Sequence, residues 1–105
     1  MAVIHLDKET FEKEIAVSGV TALIDFYADW CGPCKMVGPI IEALAEEVDG
    51  VKVCKVNVDE QSELAAAFSV MSIPTILLMK DGEVLDTQIG LATKTKLLAM
   101  LDKAK

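Results

Sequence analysis

The eight residues Val20 to Tyr27, VTALIDFY, are apolar on both faces of an extended chain except at Asp25. A strand with one wet face alternates apolar and polar residues. A strand that is apolar on both faces has to be covered on both, which is the pattern of a buried central strand. The rest of the chain must supply the layers that cover it.

The flanking segments have the right periodicities. Val3 to Leu6 can form a short edge strand. Asp7 can cap a first helix with Phe11 and Ile15 four apart on one face, Glu9 and Glu12 near its positive end, and Gly19 closing the pattern. From Cys34 to Val48, the residues Val37, Ile40, Ile41, Leu44 and Val48 recur at three- and four-residue spacing. This predicts a long amphipathic helix stopped at Asp49-Gly50 and kinked at Pro39, which lacks an N–H. Val51 to Val58 (VKVCKVNV) reads as a second buried strand whose alternation shifts phase at Cys54. Asp59 to Val70 puts Leu64, Ala65 and Phe68 on one helical face. Thr75 to Met79 and Val84 to Ile89 read as strands joined by Lys80-Asp81-Gly82-Glu83, a short hairpin with glycine at its turn. Thr93 can cap a final helix whose Leu97, Leu98 and Leu101 face inward. The order β-α-β-α-β-α-β-β-α predicts an α/β fold, a mixed sheet with helices on both faces. At 105 residues this is expected to be a single domain, large enough to bury a core without staples.

Charge and composition narrow the function. The net charge is −7, every basic residue is Lys, and the two signs are interspersed. Nucleic-acid binding needs a basic patch to displace counterions, so it is not expected, and the acidity reads as a solubility feature. Apolar residues make up 52% of the chain but no run approaches the roughly 20 needed to span a membrane. The N-terminus, MAVIHLDKETFEKEI, lacks the basic-then-apolar pattern of a secretory signal. A cytoplasmic protein is expected, with a processed organellar form as the alternative. Three cysteines are too few for a secreted disulfide scaffold.

Two of those cysteines fall in ADWCGPCK, residues 28–35, where the central strand ends and the long helix begins. The carboxyl ends of strands in open α/β sheets are where sites form. A helix N-terminus adds unpaired N–H groups and partial positive charge, which favour a thiolate. Cys31 is therefore expected to ionise below the free-cysteine value of about 8.5 and to be the nucleophile. Pro33 suits a first helical turn. Cβ atoms three apart on a helix are about 5–6 Å apart and a disulfide wants about 3.8 Å, so slight tightening closes the bond. Cys34, inside the helix, is expected to be the more buried thiol, placed to attack a disulfide formed on Cys31. Zinc is the main rival. A structural site needs four ligands, and the chain offers this pair, Cys54 and a single His5, so no metal is expected. No glycine-rich nucleotide fingerprint follows a strand, and no cofactor is expected.

WCGPC after FYAD, SIPT further along, and the closing hairpin and helix resemble the thioredoxin family over nearly the whole chain. The resemblance implies the thioredoxin fold, a five-stranded mixed sheet with four flanking helices, and an enzyme that reduces protein disulfides through Cys31 and Cys34. It implies that Asp25 lies beneath the cysteines as general base for Cys34, that Lys55 neighbours Asp25, and that the Ile73–Pro74 bond is cis and packs beside the thiols. Trp30, Gly32, Pro33, Ile73, Gly90 and Leu91 match the family's apolar, substrate-binding rim. The implied partners are disulfide-containing proteins and a thioredoxin reductase, met by a monomer. Gly-Pro between the cysteines, where oxidising relatives carry a histidine, favours a reductant. One departure stands out: many members have Trp where this chain has Tyr27.

Plainer readings compete at several positions. Asp25 could sit exposed on a strand edge, although burial would raise its pKa and Lys55 would oppose that rise. Lys55 could be a solvated strand-end residue. Cys54 reads as an inert core residue, with a regulatory or dimer-forming thiol as the alternative. His5 carries no chemistry, and Met36, Met71, Met79 and Met100 read as packing. The rival function is a non-catalytic binding module that uses the apolar rim. A Cys34→Ser variant separates the two, since only an enzyme would then hold its targets covalently on Cys31.

Overall fold

The computed structural model describes residues 2–105. In chain order the elements are β1 (Ile4–His5), α1 (Lys8–Thr10, prolonged by a π-helical turn over Phe11–Ile15), β2 (Thr21–Tyr27), α2 (Gly32–Glu47), β3 (Lys52–Asn57), α3 (Ser62–Ala67), β4 (Thr75–Lys80), β5 (Glu83–Ile89) and α4 (Lys94–Leu101). A short 3-10 turn, Asp102–Ala104, follows α4. The five strands form one sheet in the order β1-β3-β2-β4-β5. β2 is central, parallel to β3 and antiparallel to β4; β1 joins β3 in parallel and β5 closes the other edge as a hairpin with β4.

The two-sided apolarity of β2 now has its cause. On one face Leu23, Val53, Ile76 and Leu78 pack against Val37, Ile41 and Leu44 of α2 and Leu97, Met100 and Leu101 of α4. On the other, Ala22, Ile24, Phe26, Val56 and Leu77 pack with Ile15, Leu64 and Ala65. The Phe68 ring meets Phe11 and Phe26 edge-on, which ties α3 to the first helix and to β2. Each fully buried Leu or Ile contributes about 1.5–3 kcal/mol, so β2 is fixed mainly by these two layers.

Local chemistry sets the ends. Asp7 accepts from the Thr10 backbone N–H at 2.7 Å and the Thr10 hydroxyl accepts from Asp7 N–H at 3.2 Å, a reciprocal cap. Thr93 Oγ1 accepts from Lys96 N–H at 3.1 Å and caps α4. The hairpin turn puts both Asp81 and Gly82 at positive φ, 53° and 80°, as a two-residue hairpin loop requires. α2 runs unbroken through Pro39.

Three expectations are corrected. The helix expected over Asp59 to Val70 occupies only Ser62–Ala67. It stops where Ser69 turns left-handed (φ 54°) and Val70 N–H reaches back to the Ala65 carbonyl. In α4, Leu98 is 40% exposed and Met100 takes the inward place. A position next to Leu97 lies about 100° round the helix, whereas the third and fourth residues on return to the same face. Met79 and Met100 are packed, but Met36 and Met71 are 65% and 93% exposed and do not serve the core. Among the described residues no helix is long and apolar enough to cross a membrane.

Candidate active site at the end of the central strand

Cys31 is the N-cap of α2, in extended conformation (φ −87°, ψ 114°), at the point where the chain leaves β2. Cys31 and Cys34 are joined by a disulfide with their Cα atoms 5.3 Å apart, inside the range a disulfide spans. The Cys34 backbone N–H donates to Cys31 Sγ at 3.2 Å, so the first sulfur receives one of the orphan donors of the helix end. Pro33 occupies the first turn, where its missing N–H costs nothing. The expectation that Cys34 is the more buried thiol is overturned: both cysteines are 5% exposed. Cys31 is covered from outside its helix, by Ala28, Tyr27, Val58 and Ile73, and the Ile73 carbonyl oxygen lies 3.8 Å from its sulfur.

Asp25 is fully buried on the central strand, so the exposed-edge reading does not hold. It alternates with Leu23 on the face covered by α2. Neither of its carboxylate oxygens has a hydrogen-bond partner. Burial pushes the carboxyl up to about 6, with the Lys55 ammonium acting in the opposite direction. Lys55 is directly across from Asp25 in the β2–β3 register. Its Nζ nevertheless lies over the Tyr27 ring, 4.4 Å from the centroid. A Cβ added at Gly38 would meet that Nζ at 3.7 Å, so α2 passes close to the ammonium. Tyr27, Ala28, Asp29, Cys34, Lys35, Gly38 and Lys55 line a crevice of about 190 Å³ leading to the second cysteine.

The structure places the remaining sequence-derived residues on the segments that flank β4, β5 and the start of α2. The Ile73–Pro74 peptide bond is cis. Pro74 is buried, and its carbonyl accepts from Gly90 N–H at 2.9 Å, which draws the end of β5 up to the start of β4. Gly90 can do this because it adopts φ 89°, open to glycine and strained for other residues. Trp30 is 70% exposed and Leu91 53% exposed, Gly32 and Pro33 are exposed, and Ile73 is half-buried. Met36, Val37, Ile40, Leu91, Ala92 and Thr93 line an apolar hollow of about 270 Å³ beside the rim.

Sequence reasoning missed two residues that shape this surface. The Trp30 indole N–H donates to Asp59 at 2.8 Å, which pins the exposed ring. Parallel pairing of β2 with β3 brings the segment after β3 beside the segment after β2, and that adjacency is the signal that could have found Asp59. Met36, expected to pack, is exposed and lines the hollow together with Leu91. Cys54 is fully buried as a free thiol, and burial pushes it up to about 12, which makes it unreactive. His5 lies exposed in the edge strand, remote from the cysteines along the β1–β3 ladder.

Known proteins resemble this chain in sequence. The thioredoxin family model matches residues 2–103. A thioredoxin of Rickettsia felis is 47% identical over 101 residues, covering 95% of this chain and 96% of the relative. A thioredoxin of Haemophilus influenzae is 44% identical over 102 residues (96% and 95%), and one of Bacillus subtilis 43% over 104 residues (98% of each). These matches cover nearly the whole chain, and the chain belongs to the thioredoxin family of thiol–disulfide oxidoreductases.

Proposed function

We infer that this protein is a single-domain, monomeric protein-disulfide reductase whose chemistry runs through Cys31 and Cys34. The observation that carries the reading is a reversible-disulfide pair placed at the N-cap of a long helix, with a backbone N–H on the leading sulfur. In the reduced protein Cys31, as thiolate, attacks one sulfur of a target disulfide. The target's other sulfur leaves as a thiolate, takes up a proton, and a mixed disulfide remains on Cys31. Asp25 takes the proton of Cys34. The Cys34 thiolate attacks Cys31 Sγ, the second target thiolate departs, and the Cys31–Cys34 disulfide forms. The target gains two electrons and the protein loses two. The resolving attack is effectively unimolecular, because both sulfurs sit on one helical turn.

The other groups support these steps. Lys55 supplies positive charge beside Asp25, which helps the carboxyl lose its proton again. Pro74, without an N–H, packs beside the pair and leaves the Ile73 backbone free to meet an extended target segment. Trp30, Gly32, Pro33, Ile73, Gly90 and Leu91 form the apolar contact surface around Cys31. A thioredoxin reductase returns the disulfide to the dithiol, and a cytoplasmic setting suits a pair that must be kept reduced.

The test is reduction of insulin disulfides with and without a thioredoxin reductase, together with Cys34→Ser. Turnover by the parent and covalent capture of targets on Cys31 of the variant are expected. No turnover in either condition, with equal target binding after both cysteines are replaced, would leave only a binding module.

A further inference from the structure

We propose that Tyr27 is a positioning residue for the proton relay, its ring face holding the Lys55 ammonium away from the Asp25 carboxyl. The proposal rests on reading Asp25 as the base for Cys34. Four observations on two strands and a helix lead to it. Asp25 and Lys55 are register partners on adjacent parallel strands, where an ion pair would be the default for a buried carboxylate. That pair is not made: both Asp25 oxygens lack any hydrogen-bond partner. The ammonium instead sits 4.4 Å from the Tyr27 ring centroid, a favourable cation–π distance. Gly38 of α2 lies alongside it: a carbon added there would stand 3.7 Å from Nζ, in ordinary contact.

The consequence for chemistry is specific. A carboxylate tied to an ammonium is a weak base that stays ionised, whereas one that is buried and unpaired holds a proton near neutral pH and can pass it on. Lys55 remains close enough to act through space without neutralising Asp25 directly. On the neighbouring strands Asp25 is level with Lys55 of β3 and the apolar Ile76 of β4, and Tyr27 lies two residues on along its own strand. Asp29 and Lys35 lie at the outer end of the crevice. Tyr27 also packs against the cluster of Ala28, Cys31 and Cys34, so the residue that meets the cation adjoins the cysteine pair. This gives a role to the position at which the chain departs from its family's usual Trp: a ring of either kind offers a face, but the size of the ring sets how far the ammonium stands off.

The experiment follows the Asp25 carboxyl by carbon-13 NMR titration in the oxidised protein, where the cysteines do not titrate. Tyr27→Leu removes the face, and the Asp25 midpoint is expected to fall by about one pH unit as Lys55 swings onto it. Tyr27→Phe keeps the face and is expected to titrate as the parent does. In a Lys55→Met background, Tyr27→Leu should no longer lower the midpoint. An unchanged midpoint in Tyr27→Leu, an equal fall in Tyr27→Phe, or a fall that persists without Lys55 would each overturn the proposal. Should Tyr27→Leu not fold, Tyr27→Met tests the same loss of the ring face with a more adaptable side chain. The pH profile of mixed-disulfide resolution is read separately. A titration that shifts while that profile does not would refute Asp25 as base and leave the positioning of Lys55 standing.

Discussion

Replacing Asp25 by Asn should flatten the dependence of stability on pH between pH 4 and pH 8. The carboxyl titrates at about 6 in the folded chain against 3.8 for the ordinary group. Each pH unit of such a difference is worth about 1.4 kcal/mol, so the buried, unpartnered carboxylate costs the folded state about 3 kcal/mol once fully ionised. The sign follows from proton counting. Between the two values the folded state binds more protons than the unfolded state, so stability is fully present below 3.8 and is lost as pH rises through 6. About 2.4 kcal/mol of the loss falls between pH 4 and pH 8. Asn keeps the shape of the protonated acid but cannot ionise, so this slope vanishes in the variant. Asp7 and Asp86 are held below the usual carboxylate range by hydrogen bonds from Thr10 and Lys103, and they act in the opposite sense at lower pH. Both are common to the two proteins and cancel in the difference. Guanidinium chloride unfolding of oxidised protein, followed by Trp30 fluorescence at each pH, measures that difference. Parallel curves for parent and Asp25→Asn from pH 4 to pH 8 would refute the account of a desolvated, unpaired Asp25.

Three further outcomes are expected. Leu97→Ala, at a fully buried site, should destabilise by about 2–5 kcal/mol, whereas Leu98→Ala, at a 40% exposed site one residue on, should cost less than about 1 kcal/mol; denaturant midpoints at pH 7 distinguish them. Oxidised native protein should take up no iodoacetamide at pH 8 and one equivalent in denaturant, by mass spectrometry, because the Cys54 thiol is buried and pushed up to about 12. Gly82→Ala should cost about 1–2 kcal/mol through its left-handed backbone (φ 80°) and not through crowding, since the nearest atom to an added Cβ is the Ala16 carbonyl at 3.7 Å; thermal unfolding reads the loss.

The sequence by itself determined whatever is written in short-range pattern. Two-sided apolarity marked β2 as a central strand, three- and four-residue spacing marked α2, Asp7 and Thr93 announced helix starts, Asp81-Gly82 announced a turn, and CGPC fell at the strand–helix junction. Each of these signals is carried by neighbours a few residues apart, because backbone periodicity and capping are local. Only the tertiary structure decided that Lys55 turns to Tyr27 instead of Asp25, that Asp59 holds Trp30, and that Cys31 is as buried as Cys34. Those outcomes depend on which residues meet across β2 and β3 and on how the Ile73 loop closes over the first sulfur. A side chain's partner is chosen by the space and charge that distant segments bring to it, and local sequence carries no record of that choice.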